Sequence, residues 1–302
     1  MIHKGKILVA GKSGQLARSL EDCAVDYPEI GLHLLGRPHF DITSLPSCQI
    51  GIAALRPDIV INAAAFTDVD GAESNPAEAR RINVLGAKNL AKAAASNGIP
   101  VIHISTDYVF DGTAKTAYAE FDRTNPINVY GQSKLEGEQL VRETNPRHLV
   151  LRTAWLYSPF GVNFVSKVLK AAAGATKLSI VDDQIGNPTS ALDLAHALLD
   201  LCGQLSGSEW DDFSGIYHLA GPISMSRHEL AQQIMAASKR LAGPSCEIRS
   251  ASTADFPTPA TRPLRTALDT SRYRNTFGLS FPQPDQSLTK VVGDLLSQRS
   301  CV

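Results

Sequence analysis

Five short apolar runs rich in Val, Ile and Leu punctuate the first half of the chain, at residues 7–10, 32–35, 59–63, 101–105 and 149–153. Helix-length stretches separate them, at 14–22, 44–55, 76–97 and 131–144. Short runs without strict in/out alternation suit strands buried on both faces. Strands joined by helices lie parallel, because each helix carries the chain back across the sheet. This rhythm predicts an α/β fold, a Rossmann-like doubly wound parallel sheet. The long Ala-rich stretch closes at Asn97-Gly98, a pair suited to a helix C-terminus.

After residue 155 the rhythm loosens. Residues 178–181 and 216–219 read as single strands, and 190–202, 226–241 and, more weakly, 284–298 as helices, with a Pro-rich turn at 255–263. The expected organisation is a nucleotide-binding domain over 1–155, open to completion by a later strand, and a smaller α/β substrate domain made mainly of 156–302.

Composition narrows the function classes. Lys+Arg 29 against Asp+Glu 30 gives a net charge of -1, so no global basic field exists to hold a nucleic acid. Cys23, Cys48, Cys202, Cys246 and Cys301 form no CxxC and are odd in number, which reads as isolated thiols in a reducing compartment. The opening residues 1–6 lead directly into a strand-like run and lack the apolar core of a secretion signal. No apolar run approaches the ~18 residues of a membrane span. The expected location is the cytoplasm. The histidines show no metal-ligand spacing, so no metal is assigned.

The first run is followed at once by Gly11-Lys12-Ser13-Gly14-Gln15-Leu16-Ala17. Gly11 permits a tight turn, Gly14 lets backbone reach a pyrophosphate at the next helix N-terminus, and small Ala17 allows close helix–strand packing. A plain turn is the alternative. The second run ends Leu35-Gly36-Arg37, with no acid to bind the ribose hydroxyls. Arg37 pairs with a 2′-phosphate or is a solvated surface residue. Asp41, followed by Ile42, lies under an adenine or caps the helix near Ser44. Small residues Ala63, Ala64 and Ala65, then Phe66 and Thr67, end the third run and suit a flat cofactor or close helix packing; their place at a strand's carboxyl end favours the cofactor.

Tyr130 and Lys134 are four apart, so on a helix they share one face. A free phenol has a pKa of ~10, and a nearby ammonium is expected to lower it toward the range for proton transfer to a ketone oxygen. Ser105-Thr106-Asp107 closes the fourth run, placing Thr106 at a strand's carboxyl edge, where its hydroxyl can bond a substrate carbonyl or merely form a turn.

Together these segments resemble the extended short-chain dehydrogenase/reductase family, and within it the reductases of dTDP-4-keto-6-deoxy sugars. The likeness continues through Val69-Asp70-Gly71-Ala72-Glu73, Arg152-Thr153-Ala154-Trp155, Gly161-Val162-Asn163-Phe164, residues 183–189 and the Pro-rich 257–263. It implies NADPH as cofactor, with NADH as the alternative, and a dTDP-sugar substrate reduced at its C4 ketone. It implies Tyr130 as proton donor, Lys134 on the nicotinamide ribose and Thr106 completing the triad. The implied cofactor set is Gly11, Ser13, Gly14, Gln15, Leu16, Arg37, Asp41, Ile42 and Ala63 to Thr67, with Tyr130 and Lys134. Asp107, Trp155, Asn163 and Arg262 join Thr106 against the sugar nucleotide. Some members dimerise through a magnesium ion held by glutamates. The matching positions here are Ser19 and Leu192, with Asp294 at the third, so a monomer or weak homodimer is expected. The rivals are a dehydratase or epimerase of the same superfamily, against which Tyr108 stands where dehydratases carry Glu, and a non-catalytic subunit on the same fold.

Overall fold

The computed structural model describes residues 5–205 and 210–300; expectations for residues 1–4 and Cys301 lie outside the described residues. Strands β1 (Gly5–Ala10), β2 (Ile30–Leu35), β3 (Ile59–Asn62), β4 (Val101–Thr106) and β5 (His148–Thr153) fall on the five apolar runs. They pair in parallel in the order β2-β1-β3-β4-β5, and strand Gly215–His218 adds to β5. The six-stranded sheet thus draws on two separated parts of the chain. From β1 the chain goes to one side for β2 and returns to the other for β3. The loops after β1 and β3 part, opening a crevice at the carboxyl ends. Register sets Ala10 beside both Leu35 and Asn62, and Thr106 beside Thr153.

Alternate strand residues feed two cores. Ile7, Val9, Ile61, Ile102 and Leu151 face α1 (Gln15–Cys23) and helix Ala191–Gln204, while Leu8, Val60 and Val101 face the layer holding α2 (Leu45–Leu55). In α1, buried Leu16, Ala17, Leu20 and Cys23 make one stripe. Each fully buried large aliphatic residue contributes roughly 1.5–3 kcal/mol. Cys23, Cys48, Cys202 and Cys246 are free thiols.

The helix expected over 76–97 runs from Pro76 to Ala95 and carries a π-helical segment within it. After α3 (Val69–Ser74) come α4 (Pro76–Arg80), a π-helical turn Arg81–Gly86 and α5 (Ala87–Ala95). The chain then turns through Gly98, whose φ of +67 is the left-handed geometry expected of Asn97-Gly98. The π turn, one residue wider than an α turn, presents Asn83 inward toward the sheet.

Helix α6 (Val129–Thr144) starts at Asn128, whose Oδ1 accepts from the Gly131 N–H at 2.8 Å. A Cβ at Gly131 would stand 2.2 Å from the Tyr108 carbonyl oxygen. Only glycine allows the first turn of α6 to seat against the loop that follows β4. In the second half, Lys177–Val181 pairs with Glu247–Ala251. Helices Ala191–Gln204 and Arg227–Arg240 begin after Ser190 and Ser226, whose hydroxyls cap them; Ser226 and Glu229 cap reciprocally. The region around 255–263 holds only a short 3-10 turn, Thr253–Asp255. Among the described residues, no helix is long and apolar enough to cross a membrane.

Candidate active site

Two adjoining cavities open at the carboxyl edge of the sheet. One, about 410 Å³, is lined by Gly11, Ser13, Gly14, Arg37, Asp41, Ile42 and Ala63 to Ala65. The other, about 530 Å³, is lined by Gln15, Leu16, Thr67, Thr106, Asp107, Tyr108, Tyr130, Lys134, Trp155 and Arg227. Ser13, Gly14, Ala63 and Ala65 line both. A larger hollow, about 700 Å³, lies between β2 and α2, but it is largely apolar and holds none of the predicted site residues.

The fit to a dinucleotide rests on the loop after β1. Gly11 has φ +117, and a Cβ there would stand 3.2 Å from the Ala63 carbonyl carbon. A Cβ on Gly14 would meet nothing within 4 Å, so that backbone is open toward the cavities it lines. The N-terminus of α1 follows directly, with its free N–H groups. Arg37 is exposed at the rim. Asp41 does not cap α2; Ser44 does, and Asp41 Oδ1 accepts from the Thr43 N–H and hydroxyl, both at 2.9 Å. Those hydrogen bonds, with the charges of Arg37 and Arg81, outweigh burial and hold its carboxyl below the usual range.

Phe66 is fixed through its backbone. Its N–H donates to Asn83 Oδ1 at 2.8 Å, and its carbonyl accepts from Asn83 Nδ2 at 3.1 Å. The same amide donates to Ser133 Oγ on α6 at 2.9 Å. Asn83 therefore ties the loop after β3 to the helix carrying Tyr130 and Lys134. The sequence offers no local signal for it, since its reach depends on the π turn.

Thr106 ends β4. Its hydroxyl donates to Asp107 Oδ1 at 3.1 Å and accepts from the Tyr108 N–H at 3.2 Å. Asp107 also accepts from the Thr266 hydroxyl. Burial nonetheless pushes the Asp107 carboxyl up to about 6. The Thr106 proton is thus directed at Asp107, where a bond to a substrate carbonyl was expected.

Lys134 donates to the Ile104 carbonyl at 2.7 Å. Burial brings its pKa down to about 8, opposed by the charge of Glu138 one turn further along α6. The expected lowering of Tyr130 is corrected by the structure: burial raises the phenol above its ordinary value, outweighing the Thr106 hydroxyl that favours phenolate. Beneath this face lies a buried set. Arg152 donates to Glu138 through Nε at 3.0 Å and through an Nη at 2.8 Å, and the Ser105 hydroxyl donates to the same carboxylate. Tyr130, Lys134 and Glu138 recur every four residues, so Glu138 was legible from spacing alone.

Trp155 lines the cavity in a left-handed backbone conformation, φ +47, with its indole so close to Gly186 that a Cβ there would stand 2.5 Å away. Two predicted substrate contacts are engaged elsewhere. Asn163 caps helix Phe164–Ala172 and donates to the Ser158 carbonyl at 2.8 Å. Arg262 forms a two-pronged pair with Asp70, at 2.7 and 3.1 Å.

With this geometry in hand, comparison with known proteins is specific. A family profile described as the RmlD substrate binding domain matches residues 5–297. A dTDP-4-dehydrorhamnose reductase of Sinorhizobium fredii is 42% identical over 291 residues, 96% of this chain and 98% of the relative. The crystal structure of a dTDP-4-dehydrorhamnose reductase from Clostridium acetobutylicum superposes with a TM-score of 0.88 at 36% identity, covering 97% and 99% of the two chains. That of a dTDP-4-dehydrorhamnose reductase from Bacillus anthracis in complex with NADP gives 0.87 at 33% identity, covering 95% and 98%.

Proposed function

The chain belongs to the RmlD family of dTDP-4-dehydrorhamnose reductases, and from that premise we propose how its own residues carry out the reaction. The activity is NAD(P)-dependent reduction of dTDP-4-dehydrorhamnose in dTDP-rhamnose biosynthesis. The observation that carries the residue assignment is the convergence of Thr106, Tyr130 and Lys134 on one cavity with Ser13, Gly14, Gln15 and Leu16.

When bound, the reduced nicotinamide would supply the hydride for the C4 carbon of the sugar. Gly11, Ser13, Gly14 and the start of α1 would hold the cofactor's pyrophosphate, and Arg37 its 2′-phosphate. Lys134, beside the ring end of that cradle, would bind the ribose. Tyr130 delivers its proton to the ketone oxygen as negative charge develops there. The phenol is protonated at neutral pH, the state reduction needs, and because burial makes it a weaker acid its proton leaves only as negative charge develops on the ketone oxygen. The Thr106 hydroxyl, whose one proton lies on Asp107 in the resting site, would turn that proton to the phenolate that Tyr130 becomes. Trp155 walls the sugar side. Trp155 and Arg227 bring the second half of the chain to the wall of the cavity, where they would help align the ketone. The reading also includes a cytoplasmic location and a monomer or weak homodimer.

The test is oxidation of NADPH with dTDP-4-keto-6-deoxy-L-mannose generated in place, followed by identification of the product. Stoichiometric formation of dTDP-L-rhamnose is expected. Absence of cofactor oxidation with this substrate overturns the reading.

A further inference from the structure

Arg227, the first residue of helix Arg227–Arg240, is half-buried and lines the 530 Å³ cavity that Tyr130 and Lys134 also line. Its guanidinium carbon stands 3.5 Å from the centroid of the Trp155 ring and 4.9 Å from that of Phe164. A guanidinium lying on an aromatic face keeps its in-plane N–H donors available for hydrogen bonds, because stacking uses the flat surface and hydrogen bonding uses the edge. One such bond links Arg227 to the Tyr108 side chain, and the guanidinium has further donors. Among the described residues no carboxylate forms an ion pair with it; Asp107, whose charge Arg227 feels, has its oxygens engaged by Thr106 and Thr266. Tyr108, on the same wall, feels the charges of both Arg227 and Arg262.

Two cations line this cavity, Lys134 and Arg227. Lys134 is held to the Ile104 carbonyl beside Tyr130, where the ring chemistry takes place. Arg262, expected at a phosphate, has both prongs on Asp70. A sugar nucleotide brings a diphosphate, which needs a charge-assisted partner once removed from water. Resting on the substrate class proposed above, we infer that Arg227 binds the diphosphate of the sugar nucleotide, with Trp155 holding the guanidinium plane so that its edge faces the phosphates. Arg227 is then a binding and specificity residue that selects diphosphate-linked sugars over free sugars.

The test compares binding of dTDP and of thymidine to the full chain with NADP⁺ present, in wild type, Arg227→Met and Arg227→Gln. Gln keeps a flat head able to lie on Trp155 but carries no charge. NADPH affinity serves as the check of folding and is expected to be unchanged in both variants. Affinity for dTDP is expected to fall about 10- to 100-fold, as for loss of a hydrogen bond to a charged group. Thymidine affinity should stay the same, and the loss should shrink at high salt. Undiminished dTDP binding in either folded variant overturns the inference. So does an equal loss for dTDP and thymidine, which would make Arg227 a support for Trp155 alone. Failure of the wild type to reduce the keto sugar would count against the proposed activity instead, and is read in a separate assay.

Discussion

Burial moves Tyr130, Lys134 and Asp107 from their ordinary acidities, each toward its neutral form. Asp107 takes up a proton as pH falls through about 6, and Lys134 loses one as pH rises through about 8. If the carboxylate and the ammonium are the working forms, kcat/KM for the sugar nucleotide is bell-shaped with limbs near those values. Asp107→Asn should remove the acid limb, and an unchanged acid limb in that variant would exclude Asp107 as its source. Tyr130→Phe keeps the ring but not the proton, so turnover should fall by about 10²–10⁴ with cofactor affinity nearly unchanged. Near-normal turnover would take Tyr130 out of the mechanism. Arg37, exposed at the rim of the smaller cavity, is expected to favour NADPH over NADH by roughly 5- to 30-fold, modest because solvent screens it. Arg37→Ala should lower kcat/KM for NADPH and spare NADH; an equal loss for both would show that Arg37 does not read the 2′-phosphate. Tyr130, Lys134 and Thr106 were legible because helical spacing and strand-end position are local properties. Arg227 and Asn83 were not, because each acts across a gap that only the folded chain closes. The direction of the Tyr130 shift escaped for the same reason: spacing reveals a neighbouring charge, whereas desolvation depends on everything packed around the ring.

At the scale of elements, α6 is the piece on which the site depends. Its first two turns carry Tyr130 and Lys134, and its middle carries Glu138, paired with Arg152 of β5 where the two side chains are only 1% and 2% exposed. Removing one member of a buried pair leaves an uncompensated charge, so Arg152→Met or Glu138→Gln is expected to cost about 3–5 kcal/mol of stability. Urea midpoints measure it, and a loss below about 1 kcal/mol in both variants would show that water reaches the pair. The positions of α6 and the five strands were readable from apolar periodicity. The π segment within the 76–97 helix was not, because Ala-rich sequence favours a regular α-helix. The π turn instead tracks its neighbours: Asn83 binds Phe66 and Ser133, and its carbonyl leaves room only for glycine at position 137 of α6. Packing between elements here prevails over propensity within one.

For the whole molecule, Ser19 and Leu192 lie buried on α1 and helix Ala191–Gln204, and Asp294 pairs with Lys290 at 3.3 Å. No magnesium-dependent dimer is therefore expected, and sedimentation with and without a chelator should give one molecular mass; a dimer that dissociates on chelation would overturn this. The boundary at residue 155 also makes a testable fragment. Residues 1–155 alone lack strand Gly215–His218 and helix Ala191–Gln204, leaving one edge of β5 and the face over α1 bare. Such a fragment should aggregate rather than bind NADPH, whereas the full chain binds it. The same architecture sets an order of events during synthesis. About 60 residues separate the end of β5 from the start of the strand that pairs with it, and at ~5–20 residues per second the ribosome needs about 3–12 s to make them. For that interval β5 has no strand on its outer edge, so the half carrying Tyr130 is expected to be made first and to need shielding by a chaperone until its last strand arrives.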